Sequence, residues 1–233
     1  MSQSAAALLD ARLDAREIEP LLRTGDLVLF DDALPWMATS TKMCVVQSCP
    51  TFVYSCVHTY RAAGIVVVDA DSEKPNVCSF DHATGTLVSV PFVDVLTRQC
   101  RRRTRTHRTY AIVRRLTPNG VATHLDARQV NHILSDLHTN AARVSPQLVA
   151  LLQHGQTLDR CRPTNDDDAA AAARASPAFF VTLVYARLHL LNERILDHAA
   201  RFNIEDVRSA KGKGPLDTLL SPDVYVEYSL PPL

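Results

Sequence analysis

Apolar positions in the first half of the chain follow patterns that are typical of β-strands. Short runs rich in β-branched residues, bounded by Gly, Pro, Asn or Asp, indicate strands and hairpins. The predicted strands are 24–32, 62–71, a hairpin formed by 77–80 and 86–90 around a turn at 83–85, and 108–117, which is followed by a turn at 118–120.

Helical spacing replaces this pattern in the second half of the chain. Apolar residues three and four positions apart predict a helix within 125–144. Ser-Pro pairs, which suit an N-cap and the first helical position, predict two further helix starts, at Ser145 and Ser176. The helix that follows Ser176, predicted to extend to about residue 202, is the most apolar and is therefore predicted to be central.

An N-terminal extension and two insertions complete this organisation. Residues 1–23 are amphipathic and predict an N-terminal helical extension, while 24–233 form the main domain. Two insertions are predicted within that domain, at about 38–58 and 156–175, the second because an acidic run passes into an alanine-rich one.

Composition restricts the class of protein more than its function. The 233 residues are 46% hydrophobic and 21% charged, with 25 basic and 25 acidic side chains, so net charge favours no polyanionic partner. No apolar run approaches the roughly 20 residues of a membrane span, and the N-terminus lacks the pattern of a secretory signal. Together with cysteines that show no paired framework, these features predict reduced thiols and a cytoplasmic location. The cysteines are Cys44, Cys49, Cys56, Cys78, Cys100 and Cys161.

Several strings resemble, in their order, the circularly permuted branch of the NlpC/P60 papain-like superfamily, the YiiX-type thiol hydrolases. They are GDLVLF at 25–30, AAGIVVVD at 62–69, NVCSFDHATGTLVSVPFVDVL at 76–96, TYAIVRRL at 109–116 and FFVTLV at 179–184. LLSPDVYVEY, at 219–228, is similar to the strand-like tail that often follows. The resemblance implies an α+β fold in which a small antiparallel sheet packs on a central helix.

The resemblance also implies that the catalytic groups of the family have been lost. The family uses a cysteine at the start of the central helix, a histidine on a strand and a third polar group. The matching positions here hold Phe180, Ala62 and Ser79. Alanine accepts no proton and phenylalanine is no nucleophile, so the implied site is degenerate and no catalytic residue is assigned.

A relocated thiol or a metal site is the alternative to this loss. Cys56 and Cys78 lie near His58 and His82 in the sequence, but no helix start adjoins either cysteine. A zinc site formed by Cys44, Cys49, Cys56 and His58 is chemically feasible, although its spacing is not that of a recognised motif. The structural interpretation of these residues is favoured, and no metal or cofactor is predicted.

A run of five arginines is the strongest electrostatic feature. Its composition suits an acidic protein surface, whereas the lack of interleaved aromatic residues disfavours nucleic acid. The alternative is a solvated strand edge on which cations discourage sheet pairing. The candidate partner-binding residues are Arg101, Arg102, Arg103, Arg105 and Arg108.

These observations predict a non-catalytic structural or interaction subunit of a larger intracellular assembly, with a cytoskeletal assembly as one option. The segment at 38–58 and the arginine run are its predicted contact surfaces. Two alternatives remain open at this point. One is a peptidase or amidase with a relocated Cys/His pair, and the other is a protein that binds a lipid or acyl chain in the former substrate cleft.

Overall fold

The computed structural model describes residues 13–30, 62–69, 73–81, 86–102, 108–143, 166–196, 204, 207 and 216–230. Within these residues, seven strands pair into one mixed sheet in the order β1-β7-β6-β2-β3-β4-β5. Only the pairing of β1 with β7 is parallel. The strands are β1 (Leu13–Asp14), β2 (Leu27–Phe30), β3 (Ala62–Val68), β4 (Pro75–Phe80), β5 (Leu87–Pro91), β6 (Arg108–Arg114) and β7 (Val224–Ser229).

Helices cover both faces of this sheet. The helix α1 (Ala15–Ile18) and the helix α2 (Phe92–Arg102) pack on one face, which we call the α2 face. The opposite face, called the α5 face, is covered by α3 (Ala127–Arg143), α4 (Asp166–Ala175) and α5 (Pro177–Arg187). Short 3-10 segments occupy Glu19–Leu21, Pro118–Gly120 and Glu193–Ile195.

Side chains on the central strands alternate between two separate apolar clusters. On β2, Leu27 and Leu29 belong to the cluster under α5, whereas Val28 and Phe30 belong to the cluster under α2. Successive residues of a strand point to opposite faces, so a strand that is buried on both sides needs a continuous apolar run. This requirement explains why AAGIVVV and LVLF carry almost no polar residue.

The helix α5 is the central helix that the sequence predicts. Ser176 caps its start, since its hydroxyl accepts a hydrogen bond from the backbone N–H of Phe179 at 3.2 Å. All residues from Ala178 to Ala186 are buried. The helix ends at Arg187, well before residue 202, because His189 takes the left-handed conformation with φ of 57°.

The second insertion is partly a correction of the sequence prediction. Residues 166–175 belong to a segment predicted as a surface loop that runs into a helix start. They form α4, in which Ala169 to Ala173 are buried in the cluster under α5 or beside it. Alanine has the highest helix propensity, and its small side chain allows neighbouring helices to approach closely. The alanine run is therefore a packing surface.

The architecture is mixed α+β, as the sequence predicts. The sheet is larger than the small antiparallel sheet that was expected, because the N-terminal segment contributes β1 and the C-terminal segment contributes β7. Leu13 and Asp14, predicted to belong to a helical extension, pair in parallel with Val226 and Glu227. The insertion at 38–58 and the helix predicted at Ser145 lie outside the described residues.

Candidate functional site

The three positions that the resemblance aligns with catalytic residues do not meet in one site. Ala62 belongs to the cluster on the α2 face. Ser79 lies on the same face, because it lines a recess between α2 and the sheet, as described below. Phe180 belongs to the cluster on the α5 face. The sheet therefore separates Phe180 from the other two positions.

Phe180 is a core residue at the start of α5. Its side chain is 1% exposed, and its ring packs edge-to-face on Phe80 with centroids 5.4 Å apart and an interplanar angle of 79°. This is the favourable geometry for an aromatic pair. The position implied for a nucleophile is thus filled by an aromatic ring.

Ala62 and Ser79 lie where the strands β3 and β4 pack tightly. Ala62 is paired with Phe30, and Gly64 lies two residues further along the same face. A Cβ atom on Gly64 would lie 2.4 Å from Cγ1 of Val77 and 3.4 Å from Cβ of Ser79. Glycine at this position allows Val77 and Ser79 to approach the backbone of β3.

The two cysteines in the described ranges are buried thiols. Cys78 is 4% exposed, and its thiol donates a hydrogen bond to the hydroxyl of Ser89 at 3.5 Å. Burial raises the pKa of the Cys78 thiol above its ordinary value, which disfavours the nucleophilic thiolate. Cys100 is fully buried and donates to the carbonyl oxygen of Tyr228 at 3.4 Å.

The relocated Cys/His pair and the zinc hypothesis fall largely outside the described residues. Those positions are Cys44, Cys49, Cys56, His58 and His82. Among the residues that the structure does describe, no group of three or more His, Cys, Asp and Glu side chains is arranged to hold a metal ion.

The arginine run begins at the end of α2 and ends at the start of β6. Arg101 is exposed in the last turn of α2, where a cation interacts favourably with the helix dipole. Arg108 is also exposed and forms an ion pair with Glu227 at 3.2 Å. Arg108 begins β6, which lies inside the sheet between β7 and β2. The interpretation of the whole run as a solvated edge stays a prediction. The side chain of Arg102, together with Arg103 and Arg105, lies outside the described residues.

A recess of about 70 Å³ lies on the α2 face, between α2 and the β4–β5 hairpin. Five apolar and four polar side chains line it. The lining residues are Phe30, Val77, Ser79, Asp81, Val88, Val90, Val95, Arg98 and Gln99.

Gln99 is the most unusual of these polar residues. It is 4% exposed, and its Oε1 accepts a hydrogen bond from the hydroxyl of Thr109 at 2.8 Å. Its Nε2 is buried without a hydrogen-bond partner. A buried donor without an acceptor costs roughly 1–3 kcal/mol, so Nε2 marks a place where an acceptor is missing.

The predicted elements do not include α2, and so they do not include this recess. The pattern was nevertheless present, since Phe92, Val95, Leu96 and Cys100 lie at spacings of three, one and four, and all four are buried. The same helix places Val95, Arg98 and Gln99 on one side, toward the recess. The arginines at the end of α2 make this apolar spacing less evident in the sequence.

A second group of buried polar residues holds the opposite face together. Asp26 is 1% exposed, and its carboxylate accepts hydrogen bonds from the backbone N–H groups of Leu116 and Arg23, both at 2.9 Å. Burial raises the pKa of Asp26 despite these hydrogen bonds. The hydroxyl of Tyr185 donates to the carbonyl oxygen of Gly25 at 2.8 Å and so ties the end of α5 to the start of β2.

Arg114 anchors the C-terminal segment in a similar way. Its guanidinium is fully buried and donates to Asp217 at 2.7 Å and to the carbonyl oxygen of Ser221 at 2.8 Å. These contacts satisfy a buried charge and connect β6 to the segment that leads into β7. Because the polar groups are matched to one another, the arrangement serves the fold.

A scan against models of protein families, a search of curated proteins and a search of solved structures each find no match to this chain. None of the helices in the described ranges is both long and apolar enough to cross a bilayer.

Proposed function

We propose that this chain is a non-catalytic interaction protein, a pseudoenzyme-like subunit of a larger assembly. The observation that carries the proposal is the position of Phe180. It fills the first turn of α5 with a ring that is 1% exposed and packed on Phe80, on the opposite sheet face from Ala62. A thiol mechanism requires a nucleophile and a base within hydrogen-bonding reach of each other.

The two described cysteines support the same proposal. Cys78 and Cys100 are 4% and 0% exposed, and the pKa of the Cys78 thiol is raised by burial. Reactive cysteines are instead accessible and lie near cations or a helix N-terminus. Buried thiols of this kind are also compatible with a reducing compartment, and we propose a cytoplasmic assembly, with the cytoskeleton as one option.

The proposed contact surface for a partner is the arginine run at the end of α2. Arg101 is exposed at one end, and the exposed Arg108 already pairs with the carboxylate of Glu227 at the other. This ion pair illustrates that the surface accepts carboxylates, which an acidic partner would supply. The relocated Cys/His enzyme and the acyl-chain binder gain no observation of their own from the described residues.

Alkylation of the native cysteines tests the absence of thiol chemistry. The folded protein is treated with iodoacetamide at neutral pH, and the modification of each cysteine is followed by peptide mass spectrometry. We expect Cys78 and Cys100 to react far more slowly than free glutathione, and no other cysteine to react faster than it. A single cysteine that reacts much faster than glutathione would point to a thiol enzyme.

The size of the native complex tests the interaction role. The chain is isolated from its own cells by gentle extraction and analysed by sedimentation, as wild type and as Arg101→Glu. We expect a complex larger than the monomer, weakened by Arg101→Glu. The matched control is Arg128→Glu, an exposed position on the helix α3 of the opposite face. A stable monomer in all three preparations would contradict the proposal.

A further inference from the structure

The recess between α2 and the β4–β5 hairpin contains more hydrogen-bond donors than its own residues satisfy. Nε2 of Gln99 is buried and unpartnered. The hydroxyl of Ser79, 7% exposed as a residue, also faces the recess. Arg98 lines the same recess and is exposed. These groups would be satisfied together by a ligand that supplies acceptor oxygens.

Apolar side chains from the same elements complete the lining. Val77 and Val88 belong to the hairpin, Val95 belongs to α2, and Phe30 is the last residue of β2. A ligand that fits must therefore combine an oxygen-rich group with a short aliphatic body. A carboxylate is the oxygen group of choice, because an arginine and an amide both donate to it, and charge-assisted hydrogen bonds are the stronger kind.

We propose that this recess, with Gln99 and Arg98 as its donors, is a binding site for a small carboxylate with a short aliphatic body. A cavity of about 150 Å³ holds one benzene molecule, so a volume of about 70 Å³ accommodates roughly three or four carbon atoms, with the carboxylate at the open side. The site lies on the opposite sheet face from Phe180. It therefore stands independently of whether the chain works in an assembly.

Asp81 decides between two sources of such a carboxylate. Its half-buried side chain lines the recess at the end of β4 and brings a negative charge to the site. A simple aliphatic acid would meet this charge unfavourably, whereas the ammonium group of an α-amino acid would meet it favourably. Isovalerate and L-valine share the same branched aliphatic body and differ in the amino group, so they distinguish the two sources.

Titration followed by ¹H–¹⁵N correlation spectra tests the site directly. The side-chain amide of Gln99 is the reporter, and isovalerate, L-valine and isobutylamine are the probes. We expect saturable shifts of the Gln99 amide with at least one of the two carboxylates, and none with isobutylamine, which lacks the carboxylate. Tighter binding of L-valine would identify an amino acid as the ligand, and tighter binding of isovalerate would identify a simple acid.

Variants separate this site from a merely structural role of Gln99. Gln99→Glu keeps an acceptor for Thr109 but replaces the donor with a negative oxygen. It should weaken carboxylate binding by about tenfold or more, as followed in this variant by backbone amide shifts. Arg98→Met changes an exposed residue, preserves folding and should weaken binding several-fold. The matched control is Arg101→Met, exposed in the same helix and outside the recess lining, which should leave the affinity within about twofold.

Three results would overturn the proposal. The first is the absence of any saturable shift with both carboxylates, as expected if the recess holds only water. The second is equal binding of isobutylamine, which would show that the carboxylate is not recognised. The third is an affinity that Arg98→Met and Gln99→Glu leave unchanged in folded protein. Because the spectra report on the isolated chain, none of these results bears on the proposed assembly role.

Discussion

Ala62 and Phe180 lie on opposite faces of the seven-stranded sheet, although the resemblance aligns them with two partners of one catalytic site. On β3, the neighbouring Ala63 is the residue that faces the helices on the α5 face. A difference of one residue along a strand moves a side chain to the other face of a sheet. This relationship limits how far the chemistry of the resembled family can be transferred to this chain.

Restoring the two catalytic residue types should not restore a reactive thiol. In Ala62→His combined with Phe180→Cys, the sheet lies between the imidazole and the introduced thiol, so no hydrogen bond forms between them. We expect the iodoacetamide reaction rate of the introduced thiol to show the same pH dependence in the double variant and in Phe180→Cys alone. A much faster reaction near neutral pH in the double variant would show that the two positions do meet.

The edge-to-face pair of Phe80 and Phe180 should contribute measurably to stability. Phe180→Ala should lower the free energy of unfolding by about 3–5 kcal/mol, because it removes a fully buried ring. A double-mutant cycle with Phe80→Ala, measured by urea unfolding, should give a coupling of about 0.5–1.5 kcal/mol. The control is Leu21→Ala, since Leu21 is 50% exposed, and its effect should stay within about 0.5 kcal/mol. Additive effects of the two phenylalanine variants would contradict the observed contact.

Gly64 should tolerate no side chain, whereas Gly120 should tolerate one at moderate cost. A Cβ on Gly64 would lie 2.4 Å from Cγ1 of Val77 and 3.0 Å from the carbonyl oxygen of Cys78. Gly64→Ala should therefore destabilise the protein by about 1–3 kcal/mol or more through overpacking. At Gly120, with φ of 78°, no atom lies within 4 Å of the added Cβ, so only the backbone conformation opposes Gly120→Ala, at about 1–2 kcal/mol.

A second substitution separates these two causes. Val77→Ala removes the Cγ1 atom that a Cβ on Gly64 would meet, although the carbonyl of Cys78 stays in place. The double variant of Gly64→Ala and Val77→Ala should therefore be more stable than the sum of the two single effects, as measured by thermal or urea unfolding. The same Val77→Ala change should not rescue Gly120→Ala. If Val77→Ala affects the stability of both glycine variants equally, the contact between Gly64 and Val77 is not the cause of the destabilisation.

Asp26 should make the stability of the protein depend on pH in an unusual direction for a carboxylate. Its pKa in the folded protein is raised by burial above the ordinary value of 3.8. The folded state therefore binds this proton more tightly than the unfolded state does. It follows that the contribution of Asp26 to the free energy of unfolding is largest below pH 3.8 and decreases as the pH rises through the folded-state pKa.

Asp26→Asn provides the reference for this measurement, because it has the same shape and does not titrate. Urea unfolding of both proteins, at pH values from below 3.8 upward to neutral, should show the stability of the wild type relative to the variant falling as pH rises. The variant also exchanges one acceptor oxygen for a donor facing a backbone N–H. A relative stability that rises with pH would mean that the hydrogen bonds from Leu116 and Arg23 outweigh burial.

The site was harder to predict from the sequence than the fold, for reasons visible in α2. Most strands and the helices α3 and α5 follow periodic apolar patterns, and those patterns were sufficient to place them. The helix α2 carries the same spacing in Phe92, Val95 and Leu96, but it follows β5 directly and ends in arginines. The recess depends on this helix, and its polar residues Ser79 and Gln99 are 20 positions apart in the chain.

The sequence by itself determined the α+β class, the β4–β5 hairpin and the buried helix after Ser176, because these follow from local apolar patterns, turn residues and caps. Only the tertiary structure decided which face of the sheet each residue occupies, that β1 and β7 extend the sheet, and that Gln99 meets the β4–β5 hairpin. The physical reason is that the helices packed on each face of the sheet determine which side chains of a strand are buried beneath them. Those helices are positioned by contacts between residues that are distant in the chain.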